Sequence, residues 1–359
     1  MTYTDRLTGL RLAVVVASAA IIFGACSSSA TSAPHPAAQT AAAPASGAAA
    51  AGGAPLFVAI NKSADQQYFI ALQQAFKAEI EKLGGQAKLY NANLDANLAI
   101  NEFNDAISAG AKGIAITVPD QKIGPSIATI AKNANVALVI TDDVVKDSSG
   151  AQLPFDGFSG TDMGNKVGTE AGQLLKQSGW LTDSSKKVGV LSVEVQTLSV
   201  CNDRTNAEKA QIEAAGEPAA NVYPVPYDGT TPAAQSAAGP IITAHPDITN
   251  WVVFGCNDEG VLGTLNALAT AGAQPANIIA VGLGAYLACV PWHANQASGF
   301  KAALYISGAS VGTAAADELW NHVEKGVPLP LNTYAKTTIV TPQDYSTVMA
   351  PGDAPACFK

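Results

Sequence analysis

Asp142 and Asp143 stand side by side at the end of a short apolar run, Val136-Ala137-Leu138-Val139-Ile140-Thr141. Two carboxylates at such a strand end cannot cheaply go unpartnered, so hydroxyl or amine donors are expected to meet them. Other apolar runs in the chain lead into loops of matching chemistry. Lys62, Asp65, Gln66, Tyr68 and Phe69 follow the run ending at Ile60, and Thr117, Pro119 and Asp120 close the run from Gly113. Further on come Leu198 to Arg204, then Cys256-Asn257-Asp258, then Gly284 to Tyr286. Aromatic faces cover the C–H side of a sugar ring, while carboxylate, amide and guanidinium groups bond its hydroxyls with charge assistance. The four histidines, His35, His245, His293 and His322, are scattered and suggest no metal site. No nucleophile–base pair stands out. The chemistry expected is capture of a small neutral polyhydroxy molecule, with no cofactor and no turnover.

Each residue also has a plainer explanation. Asp142 could cap a turn, and Lys62 and Arg204 could be solvated. Tyr68 and Phe69 could be core on a first helical turn. Asn257-Asp258 before Glu259 and Gly260 is an N-cap signature; Asp258 is expected to be the cap, and Asn257 both cap and ligand. Successive strand side chains point oppositely, so only one of the two acids is expected to face a cleft squarely. Gly282-Leu283-Gly284 lacks a third glycine and reads as a turn rather than a dinucleotide loop.

The elements that must position these loops alternate. Strands are expected at Leu56–Ile60, Ala87–Tyr90, Gly113–Val118 and from Val136. Helices are expected over Tyr68–Leu83, up to about Gly110, and over Lys122–Asn133. The stretch Lys146–Asp162 interrupts the rhythm as a loop. Alternation then resumes with helix Lys166–Gln177, strand Lys187–Ser192, helix Arg204–Ala215, strand Val222–Val225 and helix Pro232–Ala244. Strand Trp251–Phe254, helix Asp258–Ala271 and strand Ile278–Gly282 complete a second α/β unit. A crossing near Leu304–Ser307 leads into helix Val311–Lys325, and a last strand around Thr337–Val340 returns to the second unit. In open α/β sheets ligands lie beyond the carboxyl ends of the strands. Two such sheets joined by several crossings make a hinged cleft.

Composition sets the setting. At 359 residues the chain is long enough for two cores. A net charge of −9 and a pI near 4.9 argue against nucleic acid, since nothing could neutralise a row of phosphates. Arg6 and Arg11 lead into an apolar run, Leu12–Phe23, too short to span a bilayer and typical of a signal peptide. Gly24-Ala25-Cys26 then resembles a bacterial lipobox, with residues 1–25 removed and Cys26 lipid-modified. Residues 26–55 are rich in Ala, Pro, Ser and Gly and read as a flexible tether. The protein is expected to be exported and lipid-anchored at the outer face of the cytoplasmic membrane.

Several motifs carry a family resemblance. These are Gly110-Ala111-Lys112-Gly113, Thr117-Val118-Pro119-Asp120-Gln121-Lys122-Ile123-Gly124, Asp142-Asp143, Arg204-Thr205, His245-Pro246-Asp247 with Trp251, and Gly255-Cys256-Asn257-Asp258 with Val261-Leu262-Gly263. Over nearly all of the chain after Leu56 it resembles the sugar-binding receptors of ABC importers, arabinose receptors foremost. The resemblance implies the type I periplasmic-binding-protein fold: two lobes, each a mostly parallel sheet flanked by helices, hinged by crossover segments. The lobes would comprise 56–161 with 307–335, and 162–306 with 336–359.

By the same resemblance Lys62 would bond ring or hydroxyl oxygens, and Tyr68 and Phe69 would form an aromatic wall. One of Asp142 and Asp143 would accept from the anomeric hydroxyl, Arg204 would bond the ring oxygen, and Asn257 would supply an amide. The chain departs from the family at Tyr68, which stands in place of a tryptophan, and at four further positions. Gln66 replaces a glutamate, Thr117 a cysteine, Gly284 an asparagine and Leu287 an acid, so the pocket is rebuilt. The implied ligand is a pentose such as L-arabinose, with a sugar alcohol or hexose next. The implied partner is a membrane permease, and the protein would act as a monomer. A sensor presenting sugar to a membrane kinase or chemoreceptor, or an exported carbohydrate-active enzyme, are the rivals. Cys201, Cys256, Cys289 and Cys357 allow three disulfide connectivities; the pairing Cys201–Cys256 with Cys289–Cys357 is preferred.

Overall fold

Short branched runs become strands here because each can bury both faces in a parallel sheet and is too short for a helix. The computed structural model describes residues 53–359. The signal-peptide and Cys26 readings, and nearly all of the tether, therefore lie outside the described residues. The first unit runs β1 (Leu56–Asn61), α1 (Gln67–Lys82), β2 (Gln86–Asn91), α2 (Ala96–Ser108), β3 (Gly113–Ile116), α3 (Gly124–Ala134), β4 (Ala137–Thr141) and β5 (Phe155–Gly157). The second runs α4 (Gly160–Ser178), β6 (Val188–Glu194), α5 (Ser199–Ala214), β7 (Val222–Pro226), α6 (Thr231–Ala244), β8 (Asn250–Gly255), α7 (Asp258–Thr270), β9 (Ile278–Gly284), α8 (Cys289–His293) and β10 (Phe300–Ile306). The chain closes with α9 (Gly308–Lys325), β11 (Asn332–Tyr334), β12 (Thr337–Val340) and α10 (Tyr345–Val348).

The strands form two six-stranded sheets of matching design. The first has the order β11-β5-β4-β3-β1-β2 with every pair parallel. The second has the order β12-β10-β9-β8-β6-β7, parallel except where β12 runs against β10. The two-lobed, mostly parallel architecture is thus the one the alternation called for. One apolar cluster on the first sheet gathers Phe57, Phe76, Ile80 and Leu319 beneath α1 and α9. Another holds Phe103, Ile114 and Ile127 beneath α2 and α3. In the second lobe α4 packs on α5 and α6 on α7.

Two of the helix contacts that are close enough to need glycine lie beside cleft residues. On α4, Gly160, Gly164, Gly168 and Gly172 recur every fourth residue and so share one face. A Cβ on Gly164 would lie 2.1 Å from the Arg204 carbonyl oxygen. On α9 a Cβ on Gly308 would lie 2.2 Å from the Tyr68 carbonyl oxygen. These contacts fix the backbone beneath two cleft residues.

Several expected boundaries move. The stretch Lys146–Asp162 contains β5, a three-residue strand, and already begins α4. β11 is likewise only three residues long, and such fragments carry too little pattern to be read. The helix expected from Arg204 starts at Ser199, so Arg204 sits in its second turn and is buried. The strand before the second crossing starts at Phe300. Gly282-Leu283-Gly284 is the end of β9 rather than a turn, because both faces of that strand are buried.

Candidate functional site

The carboxyl ends of both sheets meet at a cavity of about 270 Å³. Its N-terminal side is built from Lys62, Gln66, Tyr68, Phe69, Asp142 and Asp143. The second lobe supplies Arg204, Asn257 and, where the cavity is exposed, Thr197 and Asp228, together with a set of apolar side chains. That volume lies at the small end of the ~300–1,000 Å³ usual for small-molecule sites.

Lys62 leaves β1 directly below the acidic pair. Its Nζ donates to Asp143 Oδ2 at 2.5 Å and to Asp142 Oδ2 at 3.0 Å, and stands 5.2 Å from the centre of the Phe69 ring. Both acids are buried and both reach the cleft, contrary to strict alternation. The reason is local: β4 ends at Thr141, and Asp142 adopts a left-handed φ of +67° that turns the chain. Across the cleft, Arg204 Nη2 lies 3.5 Å from Asp142 Oδ1. Arg204 Nη1 donates to the Cys256 carbonyl at 2.9 Å. Tyr68 and Phe69 are core residues and cavity wall at once, with ring centres 5.1 Å apart.

The electrostatics favour a charged cluster. Burial opposes ionisation of Asp142, but Lys62 and Arg204 outweigh it and hold its pKa below the ordinary value. Burial, with the Asp142 charge added, raises Asp143 despite Lys62. Burial alone would discharge Lys62, yet the two carboxylates hold its pKa above normal. Asp143 Oδ1, Arg204 Nε and Nη2, and the Tyr68 hydroxyl are buried with no hydrogen-bond partner in the protein. Buried polar atoms are normally paired, so a ligand with both donors and acceptors fits this cluster.

Other expected site residues fall differently. Thr117 is outside the cavity lining: its hydroxyl is 2.6 Å from that of Thr141 and ties β3 to β4. Gly284 is also outside the lining; at φ +133°, its would-be Cβ lies 2.5 Å from the Tyr286 ring. The space an asparagine would need there belongs to Tyr286. Asn257 lines the cavity but is largely committed. Its Oδ1 accepts from Tyr227 at 2.5 Å and from the Gly260 N–H at 2.9 Å, and its Nδ2 donates to the Gly229 carbonyl at 3.1 Å. Asn257 is therefore the N-cap of α7, whereas Asp258, expected as the cap, accepts from the Leu287 and Ala288 N–H groups. Gln66 Nε2 reaches the Gly229 carbonyl of the other lobe at 3.4 Å.

Disulfides join Cys201 to Cys256 and Cys289 to Cys357. The first joins α5 to the end of β8, and both of its cysteines line the cavity.

Two contacts in the cleft escape sequence reasoning, although the loop Gly284 to Tyr286 is itself among the expected cleft loops. Tyr286 lines the cavity, and its hydroxyl donates to buried Glu259 at 2.9 Å; burial, then Asp258, push that carboxyl up to about 8. Gln121 spans the two lobes: its Nε2 donates to the Val144 carbonyl at 2.6 Å and to Ser199 Oγ at 2.8 Å. Its Oε1 accepts from the Ser199 N–H at 3.1 Å. Only the position of Gln121 just after a strand end hinted at a role in the cleft.

The periplasmic binding protein domain model matches residues 57–326. An ABC transporter L-arabinose-binding periplasmic protein of Azospirillum brasilense is 29% identical over 306 residues, covering 83% of this chain and 90% of that one. The L-arabinose-binding periplasmic protein of Escherichia coli K12 is 28% identical over 254 residues, covering 70% and 76%. A solute-binding protein of Actinobacillus succinogenes, solved with D-allose, shares the fold with a TM-score of 0.69 at 14% identity, covering 81% of this chain and 99% of that one. With two mostly parallel sheets meeting at one cleft and the domain match running through both lobes, the chain belongs to the periplasmic binding protein domain family.

Proposed function

We propose that this protein is the substrate-binding lipoprotein of a carbohydrate ABC importer. It would capture a neutral monosaccharide, a pentose such as L-arabinose first and a sugar alcohol or hexose next, by closing two lobes around it. The observation that carries this reading is the buried cluster of Lys62, Asp142, Asp143 and Arg204, drawn from both lobes and holding unpaired donors and acceptors. The acids accept hydroxyl protons, while the guanidinium donates to ring or hydroxyl oxygens. Aromatic rings at Tyr68 and Phe69 suit the C–H face. The names of the A. brasilense and E. coli relatives support the sugar, and closure stabilised by contacts to both lobes is the mechanism. The protein would bind without turnover and hand its ligand to a permease.

A thermal-shift screen over pentoses, hexoses and polyols tests this, since a ligand that binds only the folded state raises the melting temperature. Asp142→Asn and Arg204→Ala should each abolish the response while leaving the protein folded. A full response in both variants would place the site elsewhere. The lipid anchor is assigned to Cys26 from the lipobox-like sequence. Cys26→Ala should move the protein from the membrane to the soluble fraction, and unchanged membrane retention would remove the anchor.

A further inference from the structure

The cleft arginine is held at its two ends by unequal supports. The guanidinium end is firm: Arg204 Nη1 donates to the Cys256 carbonyl at 2.9 Å, at the turn from β8 into α7. There the Cys256 N–H donates to the Val193 carbonyl at 3.0 Å, and the adjoining Asn257 is bonded to Tyr227, Gly229 and Gly260. The backbone end is supported by α4 at Gly164 from one side, but the first turn of α5 has little of its own. Leu198 at the N-cap gives no side-chain hydrogen bond, and no acid stands in the first turn. The helix thus lacks the usual stabilisers of an N-terminus. The Ser199 N–H does find an acceptor, but it is Gln121 Oε1 of the opposite lobe. Val200 and Cys201 pack with Val195 and Cys256 in a small cluster apart from the main core of the second lobe. The Cys201–Cys256 disulfide joins this weak start to the firm turn.

We propose that the Cys201–Cys256 disulfide is a positioning element of the ligand site: it keeps Arg204 aimed at the cleft, and breaking it weakens ligand binding while both lobes stay folded. The inference rests on reading the cleft as the ligand site, and it adds to that reading a covalent bond on which affinity depends. Arg204 comes one turn after Cys201 on the same face of α5, and its Nη1 is 3.7 Å from Cys256 Sγ. The guanidinium lies against the crosslink with Nε and Nη2 buried and free of protein hydrogen bonds. Free donors serve a ligand best when they are already held in place, because ordering a long side chain on binding costs affinity. The other disulfide, Cys289–Cys357, ties α8 to the C-terminal stretch, and neither of its cysteines lines the cavity. It is the internal comparison. Binding and reduction are also linked reciprocally: if losing the bond weakens the ligand, the ligand makes the bond harder to reduce.

L-Arabinose is the probe or, should the wild-type protein ignore it, the sugar or polyol that raises its melting temperature most. Titration calorimetry compares the wild type with Cys201→Ser/Cys256→Ser and with Cys289→Ser/Cys357→Ser. The first variant should bind about tenfold or more weakly, the worth of a hydrogen bond to a charged group. The second should lose melting temperature with little change in affinity. A second measurement uses the wild-type protein and stands even if the first variant fails to fold. Dithiothreitol reduces each disulfide to two thiols and is itself oxidised to a cyclic disulfide, and iodoacetamide labelling read by mass spectrometry follows each pair. Saturating probe should slow the labelling of Cys201 and Cys256 by a larger factor than that of Cys289 and Cys357. A ligand that merely stabilised the whole fold would slow both alike. Unweakened binding in Cys201→Ser/Cys256→Ser, equal weakening in both variants, or equal slowing of the two pairs would overturn the inference while leaving the receptor reading intact. Silence of the wild-type protein across the whole screen of sugars and polyols would remove both.

Discussion

Asp142 and Asp143 share one ammonium group, yet their protonation is pulled in opposite directions. Asp142 titrates below its ordinary value, so its contribution to stability is present above pH 3.8 and lost only as acid brings the pH through its lower folded value. Lys62 titrates above 10.5, and its contribution disappears only as pH rises through that higher value. The Lys62–Asp142 pair is therefore charged at any ordinary pH. Asp143 opposes this, because its raised pKa makes the ionised form a cost at neutral pH. Glu259 behaves differently from the pair. With an ordinary value of 4.5 and a folded value of about 8, its contribution is complete below pH 4.5 and is lost as pH rises through 8. The melting temperature should fall between pH 5 and pH 8, and Glu259→Gln should flatten that fall. The recovered stability near pH 8 would be on the order of a few kcal/mol. A fall equally steep in the variant would mean that other groups carry the dependence.

At the scale of elements, α4 and α5 place the cleft guanidinium. Arg204 can reach the Cys256 carbonyl and Asp142 only because Gly164 lets the two helices approach to backbone contact. Gly164→Ala puts a methyl where the Arg204 carbonyl now lies, so α5 must shift. Overpacking of this kind costs about 1–3 kcal/mol. The melting temperature should drop and the sugar response weaken together, as circular dichroism and calorimetry can show. An unchanged melting temperature would refute the close-packing account.

At the scale of the molecule, the lobes are held together at the cleft by few bonds. Gln121 with Ser199 supplies two of them, Asp142 with Arg204 an ion pair, and Gln66 with Gly229 a longer contact. Gln121 lies after β3 and Ser199 begins α5, so these bonds exist only when the lobes approach. Gln121→Ala removes both without touching the buried cluster. Each neutral hydrogen bond contributes about 0.5–1.5 kcal/mol net. Sugar release should therefore quicken by about five- to 150-fold, with association little changed, as stopped-flow fluorescence would read. An unaltered release rate would show that the contact plays no part in closure.

Much of this was legible in the residues themselves. Periodicity placed the longer strands and helices within a few positions, because branched runs and apolar stripes are local signals. The acidic pair at a strand end was legible for the same reason: carboxylates against an apolar run demand a partner wherever the chain goes. What the local pattern could not contain was contact between distant segments. Alternation along β4 predicts one inward acid, but the left-handed turn at Asp142 aims both at a lysine eighty residues earlier in the chain. Asn257 looked available until the fold brought Tyr227 and Gly229 to it, and Gly284 looked like a missing ligand until the Tyr286 ring closed over it. Gln121 has no meaning without Ser199 across the cleft. Residue type and spacing determined that two α/β lobes with polar strand ends would form. Tertiary structure alone decided which polar atoms remain free, since hydrogen bonds and packing between segments far apart in sequence consume the rest.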